Sequence, residues 1–558
     1  MSIEQETAEA TPPNGEGHEG PPLGAGDLAA FGSIAALVVM ILAVGRRLWF
    51  FSDDWNILAD YHDGNLLVPF NSHLSLLPAG IYGLLFHTAG LGSYLPYRLV
   101  GVAGMALLGV ATWSYARRRV GGWGAALAAT AVIWGSGGVT NLMFPFLVNF
   151  SLPIAALVGS WILLDRETTR ADLGAAGLLG VGLATSGLGV LAMGAIGVEL
   201  VFRRGPLRRW VTFALPVGLW AVWYLTHRIS APGDHALRPM LSYAVRMLWG
   251  GTTALAAGWK PGGVVIGVLL VNYFGFAARA RCGPDARVLG ALAAPLLFAG
   301  LTAFTRIGVV PAIPPDEYRY RWTIAAFLVL AVVSAWPGAL PQLPVALPDG
   351  TTRVLRTIGA SAAVAVVVLA AVLVTRDSID WTDTVEAAAP GLRAELFAAE
   401  AVGDRVDPTH VLPLSYVPVT LGGYLRAVDD VGSPLDGHSA NRFGGSPDHR
   451  RSADALLAML PPRPGNEAPN GCDLGDSTKV SVKPGGTVVV GQAVNPQPRV
   501  GMARFGDEVH PVDWVKQVGE VWQVRVPTDA RPRDGTPPYR LQIEGLTESP
   551  PSLVICPP

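Results

Sequence analysis

Two adjacent carboxylates, Asp53 and Asp54, follow directly after a long apolar run. Neighbouring carboxylates raise each other's pKa, and at a half-buried position they are costly unless they have a partner or a role. One of them could accept a proton from a sugar hydroxyl as a general base, and the pair could hold a divalent cation, Mg²⁺ or Mn²⁺, beside a leaving phosphate. The structural alternative is a helix cap, because Asp is favoured at helix N-termini.

The segment after this pair is rich in hydrogen-bonding side chains. His62, Asn71 and His73 precede the next long apolar run, and Arg98 lies where that run begins. So many polar groups between two apolar elements indicate a binding site instead of a simple turn. His62 and His73 are also candidates to bind a metal together with the two acids. Their spacing is not that of a tight metal motif, and histidines in polar loops are usually solvated.

The composition is that of a membrane protein with a soluble C-terminal portion. The chain has 558 residues, of which 50% are hydrophobic and 15% are charged, whereas soluble domains carry about 25% charged residues. Apolar runs separated by short Arg-bearing loops extend from residue 28 to residue 375, and the sequence then becomes polar and rich in Pro and Gly. The net charge of −2 predicts no nucleic-acid partner.

These apolar runs predict a polytopic α-helical membrane domain with about 11 spans. The predicted spans are 28–50, 94–115, 122–137, 146–164, 171–187, 188–202, 210–227, 262–280, 287–305, 321–337 and 354–375. The Arg-rich loops then share the cytoplasmic side, as positive charges do in membrane proteins. This arrangement puts the N-terminus in the cytoplasm and the C-terminal portion outside the plasma membrane.

Two further apolar segments, 75–90 and 239–257, are predicted to lie in the outer membrane interface. Arg46 and Arg47 oppose this topology, because they follow the first span and favour a cytoplasmic position for that end. If segment 75–90 crosses the membrane and the N-terminus lies outside, the paired acids move to the cytoplasmic side. We favour the outside placement of the pair.

A second polar loop, RIGVVPAIPPDEYRYRW, supplies cations on the same side as the paired acids. Arg306, Arg319 and Arg321 could bind phosphate oxygens, because a guanidinium group donates two parallel hydrogen bonds. The alternative is a girdle of Arg and Tyr that anchors the span at the membrane interface.

The polar C-terminal portion divides in two. Residues 376–470 are predicted to form a mixed connector, and residues 471–558 a β-sandwich, because short apolar runs alternate with turns there. Cys472 and Cys556 bracket this module, and a disulfide between them would suit an oxidising exterior. Residues 1–27 are rich in Glu, Pro and Gly and are predicted to be a disordered cytoplasmic tail.

Taken together, these features resemble the GT-C superfamily of membrane glycosyltransferases. The resemblance rests on the first outer loop, 51–94, with its paired acids, and on the span arrangement of the membrane domain, 28–375. The pattern FSDDWNIL…PFNSHLSLLP…YLPYRLV is also similar to actinobacterial members with a soluble C-terminal domain. The resemblance implies a polyprenyl-phosphate-linked sugar donor and a catalytic acid at Asp53 or Asp54. It implies no particular metal, because members differ in metal dependence, and it implies that the β-sandwich binds carbohydrate.

The leading hypothesis is therefore a glycosyltransferase that moves a sugar to a glycan or lipid acceptor of the cell envelope, with membrane lipids around it. The candidate residues for the lipid phosphate are Asn71, His73, Arg98, Arg306, Arg319 and Arg321. A second hypothesis, a lipid-linked-glycan transporter or flippase, is weakened because no carboxylate lies deep within a predicted span. A third is a non-catalytic envelope protein whose β-sandwich binds glycan.

Overall fold

The computed structural model describes most of the chain. It covers residues 23–435 apart from gaps at Asn71, 136–137, 228–235, 281–284, 308–312, 337–348, 404–406, Pro413 and 415–417, then residues 453–455 and strand segments between 473 and 556. The predicted N-terminal tail therefore lies largely outside the described residues.

Helices dominate the described chain as far as Val402. In chain order they are α1 (Ala25–Val44), α2 (Asp53–Tyr61), α3 (Leu76–Ala89), α4 (Leu95–Ile133), α5 (Val139–Met143), α6 (Val148–Leu164), α7 (Thr169–Thr185), α8 (Leu188–Arg203), α9 (Leu207–His227), α10 (Leu237–Leu255), α11 (Lys260–Ala280), α12 (Ala286–Arg306), α13 (Tyr318–Ala335) and α14 (Asp349–Val402). α4 changes direction at Gly121, whose φ of 76° is accessible to glycine at little cost, so α4 accounts for two of the predicted spans.

The predicted spans all coincide with helices, and the helical membrane class is confirmed. Within the described chain, the helices long and apolar enough to cross a membrane are Ala25–Arg47, Leu95–Ile133, Pro145–Leu164, Lys260–Arg279 and Ala286–Arg306. The predicted number of spans is larger than this set and stays a prediction.

The Arg-rich loops lie together at one end of the helical bundle. Arg287, buried at the start of α12, contacts Glu199 of α8 at 2.7 Å and Asp165 after α6 at 2.8 Å. Further ion pairs at this end are Arg117–Asp27 at 2.9 Å, Arg119–Asp165 at 2.9 Å, Arg203–Glu167 at 2.8 Å and Arg209–Asp172 at 3.0 Å. Because Asp27 stands in the first turn of α1, α1 begins at this end. The loops predicted to lie on one side of the membrane therefore lie at one end of the helical bundle.

The first outer loop folds at the opposite end of the bundle. The hydroxyl groups of Tyr82 in α3 and Tyr94 before α4 both donate hydrogen bonds to Asp54 in α2, at 3.2 Å and 2.7 Å. Near the end of α3, His87 hydrogen-bonds the carbonyl of His62 at 3.1 Å. α3 therefore lies beside α2 from its middle to its end and does not run to the other end of the bundle.

α14 provides partners for Arg47, one of the two arginines that opposed the predicted topology. Arg47 forms ion pairs with Asp383 at 2.5 Å and with Glu386 at 2.8 Å. Both acids lie in α14, which continues across the predicted domain boundary at residue 375. That boundary is therefore not a break in the structure.

A small unit after α14 packs against α2. Strands β1 (Val411–Leu412) and β2 (Val419–Thr420) pair in an antiparallel manner and lead into α15 (Leu421–Val431). The ring of Tyr424 in α15 lies 6.2 Å from the ring of Trp55 in α2. The C-terminal portion therefore supports the helix that begins with Asp53.

The remaining described strands form two antiparallel sheets. They are β3 (Asp473–Gly475), β4 (Lys479–Val482), β5 (Thr487–Val490), β6 (Arg499–Ala503), β7 (His510–Val512), β8 (Lys516–Val518), β9 (Val521–Arg525), β10 (Tyr539–Glu544) and β11 (Leu553–Cys556). The sheet orders are β4-β10-β6-β7 and β3-β11-β5-β9-β8. Buried residues of both sheets, such as Val500 and Val488, share one apolar core. Cys472 lies outside the described residues, so its disulfide with Cys556 stays a prediction.

Candidate functional site

A cavity of about 330 Å³ lies at the end of the bundle where α2 begins. Arg306, which lines this cavity, ends α12, whereas Arg287 of the ion-pair end lies at the start of the same helix. The rise of an α-helix places these two residues about 28 Å apart. The cavity is therefore formed at the end opposite the ion pairs, between α2, α6, α8, α9, α12 and α13.

The lining of the cavity combines polar and apolar side chains. The polar side chains, here called the polar wall, include Asp53, Ser72, His73, Asn149, Ser186, Arg306 and Arg319. The apolar wall comes chiefly from α9 and α12, with Trp220, Trp223, Tyr224, Phe298 and Phe304. The indole N–H of Trp223 donates to the carbonyl of Leu67 at 3.0 Å, which ties α9 to the first outer loop. Such a cavity suits a ligand with a charged head and an apolar tail.

The structure separates the two acids that the sequence left as alternatives. Asp53 is half-buried and lines the cavity. Asp54 is only 1% exposed, and its carboxylate accepts hydrogen bonds from Tyr82, from Tyr94 and from the N–H of Phe51 at 3.0 Å. Successive residues of an α-helix point about 100° apart, so one acid faces the cavity while its neighbour faces the interior.

Burial governs the ionisation of the two acids and of His73. It raises the pKa of Asp53, and the positive charges of Arg319 and Arg306 offset part of this rise. Burial also raises the pKa of Asp54 to about 7, despite the hydrogen bonds that favour its charged form. It lowers the pKa of His73 to about 4, and the charge of Arg306 adds to this effect. His73 is therefore neutral near pH 7 and acts as a hydrogen-bonding group without charge.

Two serines beside the site have left-handed backbone conformations. The φ angles are 51° at Ser52 and 67° at Ser72, in a region that non-glycine residues occupy at a cost and that clusters at functional sites. Ser52 directly precedes Asp53. Ser72 lies in a turn closed by two backbone hydrogen bonds of 2.9 Å between Phe70 and His73. The two strained turns present Asp53 and His73 to the cavity.

Three of the predicted phosphate-binding residues, Arg306, Arg319 and His73, meet at the cavity. Arg321 does not, because two positions along a helix correspond to a rotation of about 200°. Its guanidinium group packs instead 4.8 Å from the centre of the Tyr318 ring.

Arg98 is also not part of the cavity wall. It is buried in α4 and donates a hydrogen bond to the carbonyl of Leu48 at 3.3 Å. Its guanidinium group therefore supports the backbone after α1, and its predicted role in binding the lipid phosphate stays a prediction. Asn71, the other candidate of the first outer loop, lies outside the described residues.

Of the candidate metal ligands, Asp53 and His73 both line the cavity, whereas His62 does not. His62 follows the last residue of α2, about 13 Å along the helix from Asp53, and its ring nitrogen lies 3.3 Å from Asp430. Within the described chain, no group of three or more His, Cys, Asp or Glu side chains has the arrangement of a metal site. His62 therefore lies too far from Asp53 to bind the same cation, and a divalent cation beside the paired acids stays a prediction.

The apolar wall was not predicted from the sequence. Trp220, Trp223 and Tyr224 stand three and four positions apart in the segment WAVWY, a spacing that puts them on one helix face. Aromatic residues near the end of a membrane helix are ordinarily interface anchors, so the spacing alone did not distinguish a cavity wall. Gly187 was missed as well. A Cβ atom there would lie 2.7 Å from Nδ1 of His73, so glycine lets the imidazole approach the backbone.

No protein-family model matches the chain, and no curated protein matches it. Among solved structures, it is similar to ArnT from Cupriavidus metallidurans bound to undecaprenyl phosphate, with 14% identity over 73% of this chain and 88% of that chain and a TM-score of 0.46. It is also similar to ArnT from the same organism in the apo state, with 15% identity over 71% of this chain and 85% of that chain and a TM-score of 0.43. A third similar structure is the arabinosyltransferase EmbB from Mycobacterium smegmatis, with 13% identity over 96% of this chain and 64% of that chain and a TM-score of 0.31.

The identities of 13–15% and the TM-scores of 0.31–0.46 transfer no residue role to this chain. Each role assigned to a residue of the cavity therefore rests on its position, burial and charge in this structure.

Gly187→Ala should destabilise the protein by crowding His73. The added methyl group would lie 2.7 Å from the imidazole, and overpacking of this kind costs about 1–3 kcal/mol. We expect a lower apparent melting temperature of the detergent-solubilised protein, followed by tryptophan fluorescence. Gly197→Ala in α8 is the matched control, because a Cβ there meets nothing within 4 Å. The decrease in melting temperature caused by Gly187→Ala should be smaller when His73 is also replaced by alanine. An equal decrease in the His73→Ala background would contradict the contact.

Proposed function

We propose that this protein is a membrane glycosyltransferase that moves a sugar from a polyprenyl-phosphate donor to a glycan or lipid acceptor of the cell envelope. One observation carries the proposal. A single cavity combines a half-buried carboxylate, Asp53, with two cations, Arg306 and Arg319, at the head of an aromatic wall. A polyprenyl-phosphate sugar has matching parts, namely a reacting sugar, an anionic phosphate and a long apolar chain. Undecaprenyl phosphate, bound by ArnT, is a lipid of this kind.

The two arginines hold the donor phosphate in this proposal. Guanidinium groups donate paired hydrogen bonds to phosphate oxygens and stay charged at physiological pH. His73 adds a hydrogen bond without adding charge. The isoprene chain lies along the aromatic wall, where the rings of Trp220 and Tyr224 are stacked with centroids 5.3 Å apart. The donor is thus held by charge at one end and by apolar contact along its length.

Asp53 acts as the general base. It takes the proton of an acceptor hydroxyl, and the hydroxyl oxygen attacks the anomeric carbon of the donor sugar. The bond between that carbon and the phosphate oxygen breaks, and polyprenyl phosphate leaves with the electron pair, so the configuration at the anomeric carbon is inverted. Arg306 and Arg319 stabilise the negative charge that develops on the phosphate. A raised pKa suits this role, because a general base works best when its pKa approaches the working pH.

The site faces the outside of the plasma membrane in this proposal. The Arg-rich loops gather at the other end of the bundle, and such loops prefer the cytoplasm. The N-terminus then lies in the cytoplasm, and α15 and the two C-terminal sheets lie outside with the site.

The two sheets are proposed to form a β-sandwich that binds carbohydrate of the acceptor. Their shared core supports a sandwich, and the family resemblance supports the carbohydrate. His510 in β7 hydrogen-bonds Glu395 in α14, so the sheets are attached to the helix that also contacts the first outer loop. A disulfide between Cys472 and Cys556 is part of the same proposal.

Asp53→Asn should abolish sugar transfer. Purified protein in nanodiscs is supplied with undecaprenyl-phosphate-linked mannose, glucose or arabinose and a cell-envelope glycan extract, and released undecaprenyl phosphate is measured. Loss of a general base lowers kcat by about 100-fold to 10,000-fold. Asp60→Asn is the matched control, because Asp60 is an exposed acid of the same helix.

Two outcomes would contradict the proposal. Full activity of Asp53→Asn would remove the general base. Binding of envelope glycan by unaltered protein that releases no undecaprenyl phosphate from any of the three donors would favour a non-catalytic glycan-binding protein.

Arg306→Gln should move the acid limb of the pH–rate profile to higher pH. The rate rises as Asp53 loses its proton, and the positive charge of Arg306 lowers the pKa of that carboxyl. Removing the charge raises the pKa, so a higher pH is needed to ionise the base. The measurement is kcat against pH at saturating donor. Arg321→Gln, a change of the same type outside the cavity, is the control and should leave the midpoint of the acid limb unchanged. A shift of that midpoint to lower pH in Arg306→Gln would count against Asp53 as the base.

Cysteine labelling tests which side the site faces. The three native cysteines are replaced by serine, and single cysteines are placed at Thr88 and Arg166, exposed positions at the site end and the ion-pair end. A membrane-impermeant maleimide should label Thr88→Cys in intact cells and Arg166→Cys only after lysis. The reverse pattern would place the site in the cytoplasm and exclude an extracytoplasmic acceptor.

A further inference from the structure

Asp54 is a buried carboxylate that the proposed reaction does not use. It is 1% exposed and lies outside the wall of the cavity that Asp53 lines. Its Oδ2 accepts hydrogen bonds from the Tyr94 hydroxyl at 2.7 Å and from the Phe51 N–H at 3.0 Å, and its Oδ1 accepts one from the Tyr82 hydroxyl at 3.2 Å. Both carboxylate oxygens are therefore engaged inside the protein.

These bonds close the turn that carries Asp53. The Phe51 N–H donates to the Asp54 side chain, and the Asp54 N–H donates back to the Phe51 carbonyl at 3.2 Å. Ser52 lies inside this closed turn with a φ of 51°, a conformation that the surrounding structure must hold in place. Asp53 is the next residue, so the same turn sets the direction of its side chain.

The two tyrosines that hold Asp54 are themselves packed. The ring of Tyr82 lies 5.2 Å from the ring of Tyr97, and the ring of Tyr94 lies 4.9 Å from the ring of Phe50. Tyr82 belongs to α3, and Tyr94 directly precedes α4. Asp54 therefore fixes the first turn of α2 against two other elements.

We propose that Asp54 is a positioning residue, which holds the turn at Phe51 and Ser52 against Tyr82 and Tyr94 so that Asp53 faces the acceptor in the cavity. The inference rests on the proposed function, in which Asp53 is the general base. A reacting group misplaced by about 1 Å can cost about 100-fold in rate. Loss of the turn therefore lowers kcat, while the KM for the donor changes little because the phosphate is held from α12 and α13.

Replacement of Asp54 by its amide separates positioning from proton transfer. Asparagine keeps one oxygen that can accept from Tyr94 and from the Phe51 N–H. Its amino group can donate to the Tyr82 hydroxyl, because a hydroxyl group both donates and accepts. Alanine makes none of these bonds. A positioning role is therefore rescued by asparagine but not by alanine, whereas an acid–base role is lost in both.

The test compares Asp54→Asn, Asp54→Ala and Tyr94→Phe in the assay with undecaprenyl-phosphate-linked mannose, glucose and arabinose. We expect kcat to fall by no more than about fivefold for Asp54→Asn, by about 100-fold for Asp54→Ala and by about fivefold for Tyr94→Phe, each with KM within about twofold of the unaltered protein. In the Asp53→Asn background, Asp54→Ala should cause no further loss, because Asp54 acts through Asp53.

An Asp54→Asn variant as inactive as Asp53→Asn would overturn the inference, because an ionisable group would then be required. A raised KM at unchanged kcat, or an Asp54→Ala variant as active as the unaltered protein, would also overturn it. If Asp54→Ala does not fold, Tyr94→Phe decides, and unchanged kcat in that variant overturns the inference. Activity of Asp53→Asn, in contrast, counts against the proposed function and removes the base through which Asp54 acts.

Discussion

The burial of the Asp54 carboxylate is the constraint on which the first outer loop depends. A carboxylate removed from water needs hydrogen-bond donors, because an unsatisfied buried polar group costs about 1–3 kcal/mol, and a charged group costs more. The donors come from Tyr82 in α3, from Tyr94 before α4 and from the backbone of Phe51. Three separate parts of the chain must therefore meet at one point. Once they meet, the preceding residue, Asp53, faces the cavity.

The two ends of the bundle use arginine in different ways. At one end Arg287 and Arg209 are buried beside acids, and their ion pairs join helices that are distant in sequence. At the other end Arg306 and Arg319 line a cavity together with Asp53. There the positive charges of the two arginines face the cavity, and they limit how far burial raises the pKa of Asp53. The chemical difference between the ends follows from which partners each guanidinium group meets.

The polar C-terminal portion is part of the support of the site. Tyr424 packs near Trp55 of α2 and donates a hydrogen bond to Glu400 of α14 at 2.8 Å. Arg47, just before the paired acids, is held by Asp383 of the same long helix. α15 therefore contacts the helix that carries Asp53, and α14 contacts both α15 and the segment before that helix. A site that must hold an acid beside two cations gains rigidity from such contacts, because ordered neighbours keep reacting groups in place.

The sequence by itself determined the helical membrane architecture, the loop that carries the site and the cations Arg306 and Arg319, because apolar runs and charged loops are local properties of a chain. It also identified the paired acids, yet it could not separate Asp53 from Asp54. Only the tertiary structure shows that Asp53 lines the cavity while Asp54 is buried beside it, because the donors to Asp54 lie 28 and 40 positions away along the chain and meet it only when α3 and α4 pack. The tertiary structure also decided that aromatic residues of α9 line the cavity and that Arg98, Arg321 and His62 do not. The reason is the same, since the direction of a side chain depends on the packing of its helix.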